Sequence, residues 1–194
     1  MHEHHQYETD PARPEAEPER RPPSIYVASL SDYNHGRLHG VWIDATMPLE
    51  DMWAATAHML AQADNPGAEE IAIHDHADFG AWQPGEYTAL ETVHRVAAGI
   101  AEHGPAFAAW ADYIGASDDD LEERFEDAYR GEWLSVHDYA QELVNDLGVR
   151  IQVDPPAWAH YVSFDTAALA RDLEYDLHVT DSAEGGVYIF DPGS

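Results

Sequence analysis

Cysteine is absent from this chain, and so is lysine. Without cysteine there is no disulfide framework, no thiolate metal site and no cysteine nucleophile. Without lysine, the nine basic residues are all arginine. They face 38 aspartates and glutamates, which leaves a formal charge of −29. A field of that sign excludes non-specific binding to nucleic acid or to an anionic membrane, and favours a basic partner. Long apolar runs are missing too: no stretch approaches the ~20 residues of a membrane span. The opening MHEHHQYETD lacks the apolar segment of a signal peptide. The expected location is cytoplasmic. No phosphate-cradling glycine loop and no Gly-x-Ser-x-Gly are present, so nothing points to nucleophilic or nucleotide chemistry.

What is present is enough for a core. Hydrophobic residues make up 44% of the 194, with six Trp and ten Tyr, which separates this chain from disordered acidic sequences. Met1 to Pro23 is the exception. It is proline-rich (PARPEAEPERRPP), has no Leu, Ile or Val, and is expected to be a disordered acidic extension. It accounts for −3 of the −29, so residues 24–194 hold the other −26.

From Ser24 the pattern predicts an α+β fold in three small modules forming an elongated chain. Residues 24–84 read as a mixed module: strands at SIYVASL, at Val41 to Asp44 and at Glu69 to His74, with a helix from Pro48 to the Asn65-Pro66-Gly67 stop. Residues 85–131 read as a helical bundle. Its helices run over Tyr87 to His103, over Ala106 to Ile114, and from a Ser117 cap with Asp120 as its reciprocal acid. Residues 132–194 read as a second mixed module. Here a short strand covers Glu132 to Leu134, and a helix capped by Ser135 and Asp138 is closed by Gly148. A further helix covers Asp165 to Tyr175, before a hairpin of Leu177 to Thr180 with Val187 to Phe190. In the Ser135 helix, Tyr139, Leu143 and Leu147 are expected to face inward.

The stretch SDDDLEERFEDAY carries the densest charge. Leu121, Phe125, Ala128 and Tyr129 form an apolar stripe at helical spacing. Between them stand Asp118, Asp119, Asp120, Glu122, Glu123, Glu126 and Asp127, relieved only by Arg124. On a helix this span is roughly 14 Å, or about one carboxylate per 2 Å against one phosphate per ~1.7 Å of duplex DNA. Like charges at i, i+4 destabilise a helix by a few tenths of a kcal/mol per pair, a penalty that ordinary solubility does not require. In the following helix Asp138, Glu142 and Asp146 line one face about 6 Å apart. The acids are spread through all three modules rather than gathered into a tail. Laid along one axis at duplex density, −26 would imitate about 44 Å, or roughly 13 base pairs, of DNA.

Other groups carry less. His74, Asp75, His76 and Asp78 are candidate hard-metal ligands at a strand end, and His2, His4 and His5 are candidates for adventitious binding. His137 beside Asp138 has the form of a base with its orienting carboxylate, but no nucleophile follows. Paired carboxylates are too common here to indicate acid–base catalysis. The chain is therefore expected not to be an enzyme and to need no cofactor. Composition leaves three alternatives: a salt-adapted acidic domain, an acidic binding module for other basic proteins, or a metal-dependent hydrolase using His74 and His76.

The order and spacing of several segments resemble the ArdA antirestriction family over nearly all of Ser24 to Pro192. They are IYVASLSDYNHGRLHGVWID, EEIAIHDHADF, the Glu86-Tyr87-Thr88 helix entry, HDYAQELVNDLG, YVSFDTAALARDLEYD and the terminal Val187-Tyr188-Ile189-Phe190. The resemblance implies an acidic homodimer, joined through its C-terminal module, that imitates bent B-form DNA. It would occupy the DNA-binding groove of type I restriction–modification enzymes and block them. It also implies carriage on mobile genetic elements and a part in protecting DNA during conjugation. Trp133 to Gly148 is similar to the family's antirestriction motif, so Asp138, Glu142 and Asp146 are the acids carried over. Glu132 and the acids from Asp118 to Asp127 complete the expected partner-binding set. The extension over residues 1–23 and the absence of lysine depart from the family pattern.

Overall fold

The computed structural model of the chain describes residues 21–65 and 67–193. The extension expected over residues 1–23 thus lies outside the described residues up to residue 20, and His2, His4 and His5 lie there with it.

Two three-stranded antiparallel sheets and seven α-helices make an α+β fold among the described residues. The first sheet is centred on β1 (Ser24–Ser29), with β2 (Gly40–Asp44) and β3 (Ile71–Ala77) on either side. The β-branched Ile25 and Val27 are fully buried there, as a central strand requires. Gly40 pairs with Ala28, and a Cβ at Gly40 would sit 2.5 Å from the Val27 carbonyl oxygen. Only glycine allows that approach. The predicted strand ends one residue early. Ser29 Oγ accepts the Asp32 N–H at 3.3 Å and starts a short helix, α1 (Leu30–Asn34), which ends in a turn at His35 and Gly36. A local cap has outcompeted strand continuation. Helix α2 (Leu49–Leu60) buries Met52, Thr56 and Met59 at i, i+4 and i+7.

The helical part follows. Helix α3 (Leu90–His103) buries Val93, Val96 and Ala97, and Gly104 at φ 77° turns the chain directly into α4 (Pro105–Ile114). Every residue from Ala106 to Ala111 is buried, so this part of α4 is enclosed on all sides, while Asp112 and Tyr113 near its end are exposed. Helix α5 (Leu121–Ala128) buries Leu121, Phe125 and Ala128, the predicted stripe.

The second sheet has the order β4 (Tyr129–Trp133), β6 (Val187–Phe190), β5 (His178–Asp181). Against it lie α6 (Val136–Asp146) and α7 (Thr166–Asp176), the latter preceded by a 3₁₀ turn over Pro156–Tyr161. The expected hairpin forms between β5 and β6. The segment from Val149 to Val153 is irregular rather than extended.

Successive side chains of β6 point to opposite faces, and here they enter different cores. Tyr188 and Phe190 join the larger cluster with Ile25, Met52, Phe107, Trp110 and Phe125. Ile189 joins a smaller one with Val136, Ala140 and Ala170. The Phe190 ring lies 5.2 Å from Trp110 and 6.1 Å from Phe125, so β6 fastens the second sheet to α4 and α5.

Candidate functional site

The acidic stretch begins with a turn. Gly115 ends α4 at φ 101°, and the Asp118 N–H bonds the Gly115 carbonyl at 3.2 Å. Asp118 Oδ1 then accepts the Asp120 N–H at 3.1 Å, so the chain is still turning where the helix was expected. The N-cap is Asp120, which makes no side-chain capping bond. The predicted Ser117–Asp120 capping box is therefore absent, and helical spacing applies only from Leu121.

Glu122, Glu123, Glu126 and Asp127 project from the exposed side of α5, opposite buried Leu121 and Phe125. Asp119 and Asp120 are exposed in the turn, and Asp118 is half-buried. The burial of Phe125 against Phe107 and Tyr129, at centroid distances of 5.2 and 4.9 Å, fixes which way these acids face.

Two arginines hold the start of the stretch. Arg124 pairs with Asp118. Arg95, on α3, donates to the Asp118 carbonyl at 2.8 Å and lies 3.5 Å from the Asp119 carboxylate. Sequence reading missed Arg95. Its only local signal is that it is the sole arginine between Arg37 and Arg124.

Helix α6 forms as predicted. Ser135 Oγ accepts the Asp138 N–H at 3.2 Å and donates to the Asp138 carboxylate at 2.5 Å. Asp138, Glu142 and Asp146 are exposed, opposite buried Val136 and Ala140. Tyr139 and Leu143 are half-buried, whereas Leu147, expected inward, is 70% exposed. The helix ends at Asp146, so Leu147 lies beyond the face that meets the sheet. Glu132, on β4, is held by the Ser182 hydroxyl. Burial, and then the charge of Glu132, push the Tyr129 phenol above its ordinary pKa.

The other candidates do not assemble. His74 packs edge-on to Tyr33 at 4.4 Å, and His76 lies near Phe79 at 6.2 Å. Neither belongs to a group of three metal-capable side chains among the described residues. The dyad suggested by His137 and Asp138 is not made: Asp138 bonds Ser135, and His137 Nε2 lies 3.2 Å from the Thr166 hydroxyl.

The site is thus a set of exposed carboxylates on rigid helices. A family model described as antirestriction protein (ArdA) matches residues 25–188. The chain belongs to the ArdA family. The match runs from β1 into the start of β6 and takes in all seven helices, and family membership carries antirestriction function with it. In this ArdA member the acids of α5 and α6 both lie inside the matched span, while residues 1–24 lie outside it. The comparison with curated proteins returned no match. No described helix is long and apolar enough to cross a membrane.

Proposed function

We propose that the protein acts as a B-form DNA mimic that occupies the DNA-binding groove of type I restriction–modification enzymes and inhibits them by competition. The observation that carries this reading is the outward placement of Glu122, Glu123, Glu126 and Asp127 on α5 and of Asp138, Glu142 and Asp146 on α6. These carboxylates stand where an enzyme's Lys and Arg would otherwise meet phosphates. Asp118, Asp119 and Asp120 extend the track at its turn, with Arg95 and Arg124 setting their positions. Glu132 contributes at its edge. The three modules, 24–84, 85–131 and 132–194, would carry the charge in series.

The working unit we propose is a homodimer joined through residues 132–194. In support, Leu147, Trp158, Tyr161 and Tyr175 are all more than half exposed there, and Val149, Ile151, Val162 and Phe164 are exposed to a lesser degree. Monomers seldom leave so much apolar side chain in water.

Binding would release counterions from the acidic surface, so affinity should fall as salt rises. The decisive experiment titrates the protein into a type I enzyme cutting unmodified DNA at several salt concentrations. Inhibition that weakens with salt is expected. Cleavage unaffected by a large molar excess at low salt would refute the proposal.

A further inference from the structure

The buried Nε2 of His103 makes no hydrogen bond among the described residues, and its nearest charged neighbour is Glu122. His103 closes α3, its imidazole between the Phe107 and Phe125 rings at centroid distances of 5.6 and 4.9 Å. Its side chain is 18% exposed and its Nε2 is buried with no hydrogen bond. A buried imidazole nitrogen ordinarily has a donor or acceptor to satisfy it. What faces it is carboxylate: Glu122 Oε1 lies 3.7 Å away, beyond hydrogen-bond reach. One ligand atom from each of Glu102, His103 and Glu122 lies within 4.8 Å of the others, the only such group among the described residues. Neither glutamate forms an ion pair with arginine among the described residues.

We propose that Glu102, His103 and Glu122 bind one divalent transition-metal ion, of the zinc or cobalt class. One nitrogen and two carboxylate oxygens form a competent set for such an ion, which prefers bonds of ~2.0–2.2 Å to them. At those bond lengths tetrahedral ligand atoms stand roughly 3.4 Å apart. Both glutamates are exposed and close the remaining distance by side-chain rotation. The imidazole, fixed by two aromatic rings, is the rigid member. The ion would link the C-terminus of α3 to the first turn of α5, and would place positive charge within the acidic surface. Metal binding does not depend on the mimicry proposed above, and its test does not use inhibition.

The probe is Co²⁺, added to the full chain with His2, His4 and His5 replaced by Gln to remove the tail imidazoles. One Co²⁺ per chain, with visible d–d bands, is expected. A metal excess of about a hundredfold over Kd should raise the Tm by roughly 5–10 °C. Glu102→Gln with Glu122→Gln should abolish the bands and the Tm shift while leaving the far-UV spectrum of the apo-protein unchanged. His103→Gln should abolish both as well. Absence of any band at saturating Co²⁺, or stoichiometric binding that survives in the Glu102→Gln/Glu122→Gln protein, would overturn the assignment.

Discussion

Replacing Gly99 by alanine sets two effects of known size against each other. In the interior of α3 a glycine costs about 0.8–1 kcal/mol relative to alanine, so helix propensity alone makes Gly99→Ala stabilising. Packing opposes it. A Cβ at Gly99 would lie 2.2 to 2.5 Å from three ring carbons of Phe107, so the ring must withdraw by more than ~1 Å to reach ordinary contact. Phe107 is 1% exposed and leans on both His103 and Phe125. Overpacking of this kind costs about 1–3 kcal/mol, and the enclosed ring places it toward the upper end. The net effect is a loss of about 1–2 kcal/mol, which lowers the Tm by roughly 2–8 °C in a chain of this length. The assay is thermal or urea unfolding of Gly99→Ala, Phe107→Leu and the double variant. Gly99→Ala should do less harm, or even stabilise, once Phe107 is shortened, with a coupling of ~1 kcal/mol. A rise in Tm for the single variant would show that propensity dominates, and would refute the close α3–α4 crossing at Gly99.

Three further outcomes follow from the same structure. Amide replacement of any one of Glu122, Glu123, Glu126 or Asp127 should change inhibition of a type I enzyme less than about fivefold, since a rim charge contributes ~0–1 kcal/mol; replacing all four should weaken inhibition progressively and flatten its salt dependence, as read from cleavage titrations. Burial lowers the pKa of His178 from 6.5, with nearby Asp112 opposing the shift. Its contribution to stability is therefore full above about pH 6.5 and is lost as pH falls toward the folded value. His178→Phe, which keeps a ring against Tyr113, should lessen the fall in urea midpoint between pH 7.5 and 5.5. Tyr161→Asp with Trp158→Asp should convert a dimer to monomer in sedimentation, with the helical spectrum retained.

Local chemistry was legible where it acts over a few residues. The Ser135–Asp138 cap, the Gly104-Pro105 break and the Leu121–Phe125–Ala128 stripe each encode their structure within one or two helical turns. Local competition was harder to read: Ser29 caps α1 inside an apparent strand, and Asp118 prolongs a turn inside an apparent helix. Tertiary pairing was not legible. Nothing near Arg95 announces Asp118 and Asp119, which lie about twenty residues on, and nothing near His103 announces Glu122. In the acidic surface, composition disclosed the charge and spacing disclosed which acids share a helix face. The internal ties of Asp118 to Arg95 and Arg124, and of Glu132 to Ser182, required the fold.

The divided allegiance of β6 bears on the order in which the molecule can be completed. Everything from β1 to α5 is synthesised before β6, yet its core contains Tyr188 and Phe190, which follow Ala128 by about sixty residues. A nascent chain extending only to Ala128 would leave Trp110, Phe125 and their apolar neighbours without their closing aromatic. Final consolidation of the α4–α5 region must therefore wait for the β5–β6 hairpin. Until then the exposed rings and the unpaired edge of β4 are an opening for misassembly. The dense negative charge already displayed by α5 would oppose association between such unfinished chains, so it would guard the protein during synthesis before it meets any partner.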